Sequence, residues 1–373
     1  MRLKLKRMFS MVLGCVGVVV FVIFLNRYIT TKAYDTIEII SEIAITKVSG
    51  ADWVKLGESV LTYTKDGANC VSEKGVLRWN KAYQLQEPEV DVCGNIAVIG
   101  EYNGTSLYVV SEQKEIGEIT TGMPIKDFCV SSTGIIGVVL DDGVTTWIYL
   151  YDQDGEELVN IKTTMQDSGY PIAIDISDNG ILFMVSYVYI ENVQVKSRVA
   201  FYNFGEVGQN KSDMLVSGFD YTETIVPVIQ FIGGNSSFAV ADNRLMVYEG
   251  KEIPLHVAEI LLYDEIQSAV YSDSYIGLVH YNYDLDEKYK LMIYDDEALL
   301  VSGISFDMFY NEILMTNQRV MIYNENEICV YKMNGQLIYK EQIIGLIQKV
   351  LLTDKEDKFM IVYEDRIEVV ELR

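Results

Sequence analysis

Residues 147–155 of the 373-residue chain read WIYLYDQDG, an apolar segment that ends in Tyr151 and is followed by a polar turn closed by Gly155. A second short segment of strand character, Glu157–Ile161, follows the turn, so this stretch predicts a β-hairpin. The hairpin pattern recurs along most of the chain. Its other copies end the first segment at Tyr202, Tyr248, Tyr294 and Tyr331, and a weaker copy ends it at Val110.

Two further short strands precede each hairpin, which gives a repeat of four strands. Ile172–Ile176 and Ile181–Val185, for example, lie ahead of the segment that ends at Tyr202. Four strands per repeat are typical of a β-propeller blade. Repeat starts fall near Ala51, Pro88, Pro124, Pro171, Pro227, Ile266, Met308 and Gln348. The sequence therefore predicts an all-β fold, a β-propeller of eight four-stranded antiparallel blades, or of seven if the weak first repeat, Ala51–Glu87, merges differently.

The last repeat contains only three predicted strands before Arg373. An unassigned segment of strand character, Thr36–Ile45, lies ahead of the first repeat. We expect this segment to supply the missing outer strand, because joining the two ends in one blade closes the ring and leaves no frayed edge. The propeller is thus expected to span residues 37–373.

The chain is strongly acidic, with 54 Asp and Glu against 30 Lys and Arg and a formal net charge of −24 at pH 7. All charged residues among the first 32 are basic, so the excess of acid lies in the repeats. An acidic surface repels nucleic acid and anionic lipid headgroups. It suits a cationic partner or simply solubility, and we expect no nucleic acid partner.

The N-terminal segment predicts a membrane anchor. Phe9–Leu25 is an uncharged apolar run of 17 residues, and at about 1.5 Å per residue it just crosses a bilayer core. Basic residues precede it, so the positive-inside rule predicts a cytoplasmic tail (1–8), a transmembrane signal anchor (9–25), a linker (26–36) and an extracytoplasmic propeller. A cleaved signal peptide and lipidation at Cys15 are the alternatives. The first lacks a small-residue cleavage site, and the second places the cysteine inside the apolar run.

Three stretches of the longest repeat resemble a known family. They are Ser168–Ser177, the phrase FYNFGEVGQN at Phe201–Asn210, and Gly218–Tyr221. Over nearly its whole length the chain resembles domain-of-unknown-function family 5711, whose members are uncharacterised, membrane-anchored proteins of Gram-positive bacteria with a WD40- or quinoprotein-like propeller. The resemblance implies this fold and a location at the cell surface. It implies no activity, so no catalytic residue is carried over.

The longest repeat, Pro171–Val226, carries two insertions, near Tyr187–Gln194 and at Asn203–Ser212. Insertions in a repeat map to loops on one face, often the binding face. Asn203–Ser212 is rich in Gly and polar residues and does not repeat, so it is the first candidate for recognition. A long hairpin loop docked on its neighbour is the alternative. The candidate binding residues are Phe204, Glu206, Gln209, Asn210, Asp220 and Tyr221.

Asp91, Asp127 and Asp175 lie on predicted innermost strands and are the candidates for lining a central channel. A ring of carboxylates suits an enzyme or ligand sensor that uses the channel, and equally a water-filled channel with polar walls. Convergence of the three carboxylates would favour the first interpretation.

The sequence contains no recognisable catalytic or metal-binding motif. It lacks a nucleophile elbow, a P-loop, a dinucleotide-binding fingerprint and an HExxH zinc motif, and it has only two histidines. We therefore expect no catalytic residue, no metal site and no cofactor. Cys93 and Cys129 occupy similar places in neighbouring repeats, which leaves two interpretations open, a disulfide or two small buried apolar residues.

These features predict a membrane-anchored extracytoplasmic β-propeller, present as a monomer, that acts as a non-enzymatic protein-binding or scaffolding module at the cell envelope. The alternatives are a ligand sensor or enzyme that uses the channel carboxylates, and a structural protein that faces the wall. The expected partners are a protein at the envelope and the lipid bilayer, which the N-terminal helix would enter.

Overall fold

The computed structural model describes residues 33–163, 168–283 and 287–373. In these residues the chain forms eight four-stranded antiparallel sheets, which are the blades of a propeller. Within seven blades, consecutive strands pair in chain order from the innermost to the outermost, and the eighth blade combines both ends of the chain. The prediction of eight blades is confirmed, and the alternative of seven is wrong.

The strands of the described residues are numbered in chain order, and the one that precedes the first repeat is β1 (Ile37–Ala44). Blades 1 and 2 comprise β2 (Asp52–Leu56), β3 (Ser59–Thr64), β4 (Gly67–Ser72), β5 (Leu77–Ala82), β6 (Pro88–Cys93), β7 (Ile96–Glu101), β8 (Ser106–Ser111) and β9 (Glu115–Thr120). Blades 3 and 4 comprise β10 (Ile125–Val130), β11 (Ile136–Asp141), β12 (Thr146–Tyr151), β13 (Glu157–Thr163), β14 (Tyr170–Ile176), β15 (Leu182–Glu191), β16 (Gln194–Asn203) and β17 (Leu215–Thr222). A short helix, α1 (Glu206–Gln209), and a 3-10 turn (Ser212–Met214) lie between β16 and β17.

The remaining blades follow the same plan. Blades 5 and 6 comprise β18 (Val228–Ile232), β19 (Ser236–Ala241), β20 (Arg244–Glu249), β21 (Leu255–Leu261), β22 (Ile266–Tyr271), β23 (Tyr275–Tyr281), β24 (Tyr289–Asp295) and β25 (Leu300–Phe306). Blade 7 comprises β26 (Glu312–Met315), β27 (Arg319–Tyr323), β28 (Glu327–Lys332) and β29 (Leu337–Gln342). Blade 8 comprises β30 (Lys349–Leu352), β31 (Lys358–Val362), β32 (Arg366–Leu372) and β1.

The ring closes as predicted, through one strand from each end of the repeat region. β1 pairs antiparallel with β32, from Ile37 opposite Leu372 to Ala44 opposite Arg366, with a register shift between Ile39 and Ser41. A flanking backbone bond extends the pairing, in which the Arg373 N–H donates to the Thr36 oxygen at 2.9 Å. The outer strand of blade 8 therefore comes from the segment Thr36–Ile45, as the count of strands predicted.

The predicted membrane anchor, Phe9–Leu25, lies outside the described residues, as do the basic tail and residues 26–32 of the linker. Within the described part of the chain, no helix is long and apolar enough to cross a bilayer. The anchor stays a prediction from the sequence.

The tyrosine of the sequence repeat has one structural position. It lies at or near the end of the third strand of its blade, opposite a β-bulge in the fourth strand, as at Tyr151 and Tyr248. The same bulge recurs opposite Tyr202, Tyr294 and Tyr331. A bulge increases the local twist of the bulged strand, and all five rings are buried at this point. The repeat therefore marks a packing position.

The hydrophobic core consists of layers between neighbouring blades. Between blades 4 and 5, for example, Phe201 meets Phe231 and Tyr248 edge to face, with ring centroids 6.2 and 5.1 Å apart. Buried aromatic contacts of this kind add about 0.5–1.5 kcal/mol each to the burial of apolar area. Each blade is thus stabilised by its two neighbours.

The ring has two faces, because the strands of each blade alternate in direction. The pocket face carries the turns between first and second strands and between third and fourth strands, such as residues 177–181 and 204–214 of blade 4. The opposite face carries the turns between second and third strands, such as residues 192–193, and the links between blades. We name it the hairpin face after the long hairpin of β15 and β16; the turns between third and fourth strands, which the sequence repeat marks, lie on the pocket face.

Candidate functional site

A pocket of about 490 Å³ opens on the pocket face, where the innermost strands of several blades end. Blades 2 to 6 contribute its lining through those strand ends and the turns that follow them. The side chains of Asp91, Asp175, Asp178 and Asp273 make it acidic, and its described lining contains no Lys, Arg or His. Ligand-binding pockets commonly measure about 300–1,000 Å³, so this cavity is of a suitable size.

Two of the three predicted channel carboxylates lie in this pocket, and each binds the innermost strand of the next blade. Asp91 of blade 2 accepts a hydrogen bond from the Val130 N–H of blade 3 at 2.7 Å. Asp175 of blade 4 accepts from the Phe231 N–H of blade 5 at 2.6 Å and from Gln230 Nε2 at 3.0 Å. These carboxylates therefore link neighbouring blades.

The third carboxylate, Asp127, repeats this arrangement in blade 3 but does not line the pocket. It accepts hydrogen bonds from the backbone N–H of Phe128, at 2.8 Å, and of Ile174 in blade 4. Burial raises the pKa of Asp127 to about 7; the negative charges of Asp91 and Glu89 add to the rise, and the two N–H donors oppose it. Near neutral pH this carboxyl therefore gains and loses its proton.

Burial also raises the pKa of the other two carboxyls. The pKa of Asp91 is raised, and that of Asp175 is raised well above its usual range, with the charges of Asp91 and Asp127 contributing. The three groups are thus close enough to influence one another's protonation. Each is nevertheless bound to backbone amides, which is the geometry of a polar channel wall. A general acid or base needs an oxygen within hydrogen-bonding reach of a substrate.

Sequence reasoning missed most of the pocket lining, including Asp178, Asp273 and Tyr271. The two aspartates are exposed and lie in the turns after β14 and β22. Both follow a serine, Ser177 and Ser272, at the same place in the repeat, and this signal could have found them. Burial and the nearby carboxylates raise the pKa of Tyr271, so its hydroxyl stays a neutral donor.

Cys93 and Cys129 are free thiols, so the disulfide interpretation is wrong. Cys129 is buried in the layer that contains Phe183 and is a small core residue. Cys93 is half-buried at the pocket, where its thiol donates to Asp178 Oδ1 at 3.3 Å. Burial and the Asp178 carboxylate raise the pKa of the Cys93 thiol to about 12, which makes it a poor nucleophile at neutral pH.

The predicted recognition loop, Asn203–Ser212, lies on the pocket face and is anchored at its start. Asn203 is buried, and its side-chain amide donates to the Glu252 oxygen of blade 5 at 2.9 Å. Phe204 packs on Phe183, with ring centroids 6.1 Å apart, and so belongs to the core. The other candidates of the loop are exposed on or beside α1, namely Glu206, Gln209 and Asn210. The loop is therefore docked on its neighbour at one end and open to a partner along α1.

Asp220 and Tyr221 do not join this loop. They lie near the far end of β17, about 17 Å along the strand from its start at Leu215. Asp220 pairs with Arg198 at 2.7 Å, and the buried Tyr221 hydroxyl meets that of Tyr248 at 2.7 Å. The six candidate binding residues therefore occupy two separate places.

In the part of the chain that the structure describes, no group of three or more His, Cys, Asp or Glu side chains is placed to hold a metal ion. The acidic pocket can instead attract a cationic group by charge, because field lines concentrate in a concave site lined by one sign of charge. Its exposed carboxylates, Asp178 and Asp273, can accept hydrogen bonds from that group.

Solved structures share the fold at low sequence identity. BamB from Moraxella catarrhalis matches with a TM-score of 0.55 and 10% identity over 90% of this chain and 100% of its own. The computationally designed protein Ika8 matches with a TM-score of 0.55 and 12% identity over 88% and 99% of the two chains. A eukaryotic initiation factor matches with a TM-score of 0.57 and 12% identity over 87% of this chain and 83% of its own. Likeness at this level shows the fold alone.

No curated protein matches the sequence. A family profile does match it, that of a family of unknown function, over residues 30–372. Because this match covers the whole propeller, the chain belongs to the family of unknown function DUF5711, as the resemblance of its longest repeat predicted.

Proposed function

We propose that the protein is a membrane-anchored, extracytoplasmic β-propeller that binds a protein partner at the cell envelope without catalysing a reaction. The observation that carries the proposal is the acidic pocket, with four aspartates and no basic side chain in its described lining. Its partner presents a cationic segment that enters the pocket, and the exposed side of α1 on the same face provides further contacts. The propeller acts as a monomer, and nucleic acid is excluded by its charge.

The place where the described chain meets the ring supports an anchor on this side. The Tyr34 N–H donates to the Ile338 oxygen near the start of β29 at 2.7 Å, which is on the pocket face. Only eight residues separate Tyr34 from the end of the predicted anchor at Leu25. A chain of that length spans at most about 30 Å. An anchored ring would therefore hold its pocket face close to the bilayer, where a membrane protein is a suitable partner.

The proposal of a non-enzymatic role rests on how the channel carboxylates are used. Asp91, Asp127 and Asp175 each accept a backbone N–H group from the next blade. Their oxygens thus hold neighbouring blades together.

The pocket volume favours a second candidate function, a sensor of a small organic cation. A thermal-shift titration of the full chain with spermidine would test it.

Cross-linking in intact cells tests the main proposal. A photo-reactive amino acid is placed at Asp273 or Gln209 on the pocket face, and at Val144, which is 93% exposed on the hairpin face, as the matched control. We expect one reproducible protein adduct from the two pocket-face positions and none of that mass from Val144. Adducts from Val144 alone, or none from any position, would contradict the proposal.

Replacing Glu206, Gln209 and Asn210 together by Ala tests whether α1 takes part in binding the partner. All three are exposed, so the free energy of unfolding should change by less than about 0.5 kcal/mol per substitution. We expect the adduct formed from Asp273 to disappear in this variant. An undiminished adduct would show that α1 is not part of the docking surface.

The topology has its own test. A cysteine introduced at Val144 should react with a membrane-impermeant maleimide in intact cells, because this position is on the extracytoplasmic propeller and almost fully exposed. Labelling that appears only after cell lysis would place the propeller in the cytoplasm.

A further inference from the structure

A cluster of six aromatic rings lies on the hairpin face, where blade 6 meets blade 7. Tyr289 is at its centre, stacked on Tyr281 with centroids 5.5 Å apart and on Phe306 at 5.3 Å. Tyr310 and Phe309, from the link to blade 7, meet Tyr289 edge to face at 5.3 and 6.4 Å. The sixth ring, Tyr283, lies 6.1 Å from Tyr281.

Three of the six rings are exposed, and the other three lie beneath or beside them and support them. Tyr283 is 73% exposed, Phe309 67% and Tyr281 39%, and we name these three residues the aromatic platform. Tyr289 and Phe306 beneath it are buried. Tyr281 and Phe309 contact the buried Tyr289, and Tyr283 contacts Tyr281. Exposed rings held in place in this way lose little conformational entropy when they bind, and aromatic side chains dominate binding hot spots.

The surroundings of the aromatic platform are acidic. Among the described residues of the turns and links beside it, four carboxylates are exposed, those of Asp264, Glu265, Glu287 and Asp307, against the two lysines Lys288 and Lys290. Lys288 is already engaged: its ammonium lies 4.1 Å from the Phe309 ring centroid and 3.9 Å from Asp307 Oδ1. This contact shows that a cation fits between a platform ring and a carboxylate.

We propose that the aromatic platform binds an extended, proline-rich segment of a partner protein that carries a basic residue. Polyproline II segments dock on aromatic-lined surfaces because their rigid rings stack on aromatic faces and little entropy is lost. Their backbone has no internal hydrogen bonds, so the hydroxyls of Tyr281 and Tyr283 can bind its free carbonyl groups. The carboxylates that surround the platform bind the basic residue.

Charge complementarity favours this partner over a second copy of the chain and over a neutral glycan. A second copy of the chain would bring the four carboxylates against their own equivalents, and a chain with a net charge of −24 opposes that contact. A neutral glycan would stack on the rings but leave the carboxylates without a partner. This surface and the pocket lie on opposite faces, so the inference stands apart from the proposed function.

The test is fluorescence polarisation with the full chain in a mild detergent and a labelled ten-residue polyproline peptide flanked by two arginines. We expect saturable binding that weakens as salt is raised. Replacing Tyr283 and Phe309 together by Ala should weaken it by about tenfold or more. Circular dichroism confirms that the double variant is folded, which its exposed positions favour.

Tyr102→Ala is the matched control. Tyr102 is also exposed on the hairpin face and has Lys126 over its ring at 4.7 Å, yet no second ring contacts it among the described residues. We expect this variant to bind the peptide as the unchanged protein does. Equal weakening by Tyr102→Ala, no binding at all, or binding of a neutral oligosaccharide such as chitohexaose in place of the peptide would each overturn the proposal.

Discussion

The two faces of the ring are built from the same strands, yet they expose different chemistry. On the pocket face, aspartates line a concave pocket, and the deeper ones are partly or wholly buried. On the hairpin face, rings such as Tyr283 and Phe309 and the aliphatic tip at Val193 are exposed on the turns and links. The repeat determines the framework of both faces. The turns and strand ends, which packing leaves free to vary, determine what each face presents.

The largest expected effect comes from breaking the ring that holds both faces. Ile43 on β1 is buried beside Trp53 and Val60 in the layer between blades 8 and 1. Ile43→Asp places a carboxylate in that layer and should lower the free energy of unfolding by at least about 3–5 kcal/mol, as measured by urea denaturation. Binding at both faces should fall together.

The control for this prediction lies on the same strand. Ile39 is 54% exposed, so Ile39→Asp should change the free energy of unfolding by about 0.5 kcal/mol or less. Similar losses in the two variants would show that β1 does not close the ring as the structure has it.

The second prediction uses pH to separate channel carboxylates from those on the hairpin face. The pKa of Asp127 is raised to about 7 in the folded chain, whereas an unfolded chain releases this proton near pH 4. The folded state therefore holds the extra proton between these values, and stability falls as pH rises from about 4 to 7. Asp127→Asn removes this titration. The loss of stability between pH 5 and pH 8 should shrink by about 2–4 kcal/mol in urea titrations.

The pKa of Asp142, in a turn on the hairpin face of the same blade, is shifted in the opposite direction. Its carboxylate accepts hydrogen bonds from the backbone N–H groups of Val144 and Thr145, at 2.8 and 2.7 Å, which lower its pKa. Its contribution to stability is lost as pH falls through the acidic range, so Asp142→Asn should leave the interval from pH 5 to pH 8 unchanged. Equal pH profiles for Asp127→Asn and the unchanged protein would contradict the burial of Asp127.

The smallest expected effect is local to one face. Gly208 in α1 has no room for a side chain, because a Cβ there would overlap the backbone oxygen of Asn203. Gly208→Ala should therefore distort α1 and cost about 1–3 kcal/mol by thermal denaturation. Gly122, in a link on the hairpin face, has open space at its Cβ position and an ordinary φ, so Gly122→Ala should change stability little. A neutral Gly208→Ala would show that α1 can shift without cost.

Much of the fold could be read from the sequence because one repeat recurs. Each predicted repeat start lies within four residues of the first strand of its blade, with Met308 before Glu312 as the largest offset. Closure by Thr36–Ile45 also followed from counting strands. The physical reason for the tyrosine at the end of each third strand, a bulge in the neighbouring strand, appeared only in the structure.

The candidate site was predicted less well. The carboxylates of Asp91, Asp127 and Asp175 were identified from their place on inner strands, and the structure brings two of them into one pocket. Asp178 and Asp273 were missed because turn aspartates are usually solvated, and nothing in a linear sequence shows that two turns 95 residues apart line the same cavity.

By itself, the sequence determined the strand pattern, the four-stranded repeat, the closure of the ring and the sign of its charge, because these depend on local periodicity and composition, whereas the structure decided between seven and eight blades. Only the tertiary structure decided that Asp220 and Tyr221 lie far along β17 from α1, that Cys93 and Cys129 are free thiols, and that rings from blades 6 and 7 form one surface. Those facts depend on how the blades are placed around the ring, and that placement arises from the packing of each blade on its neighbours.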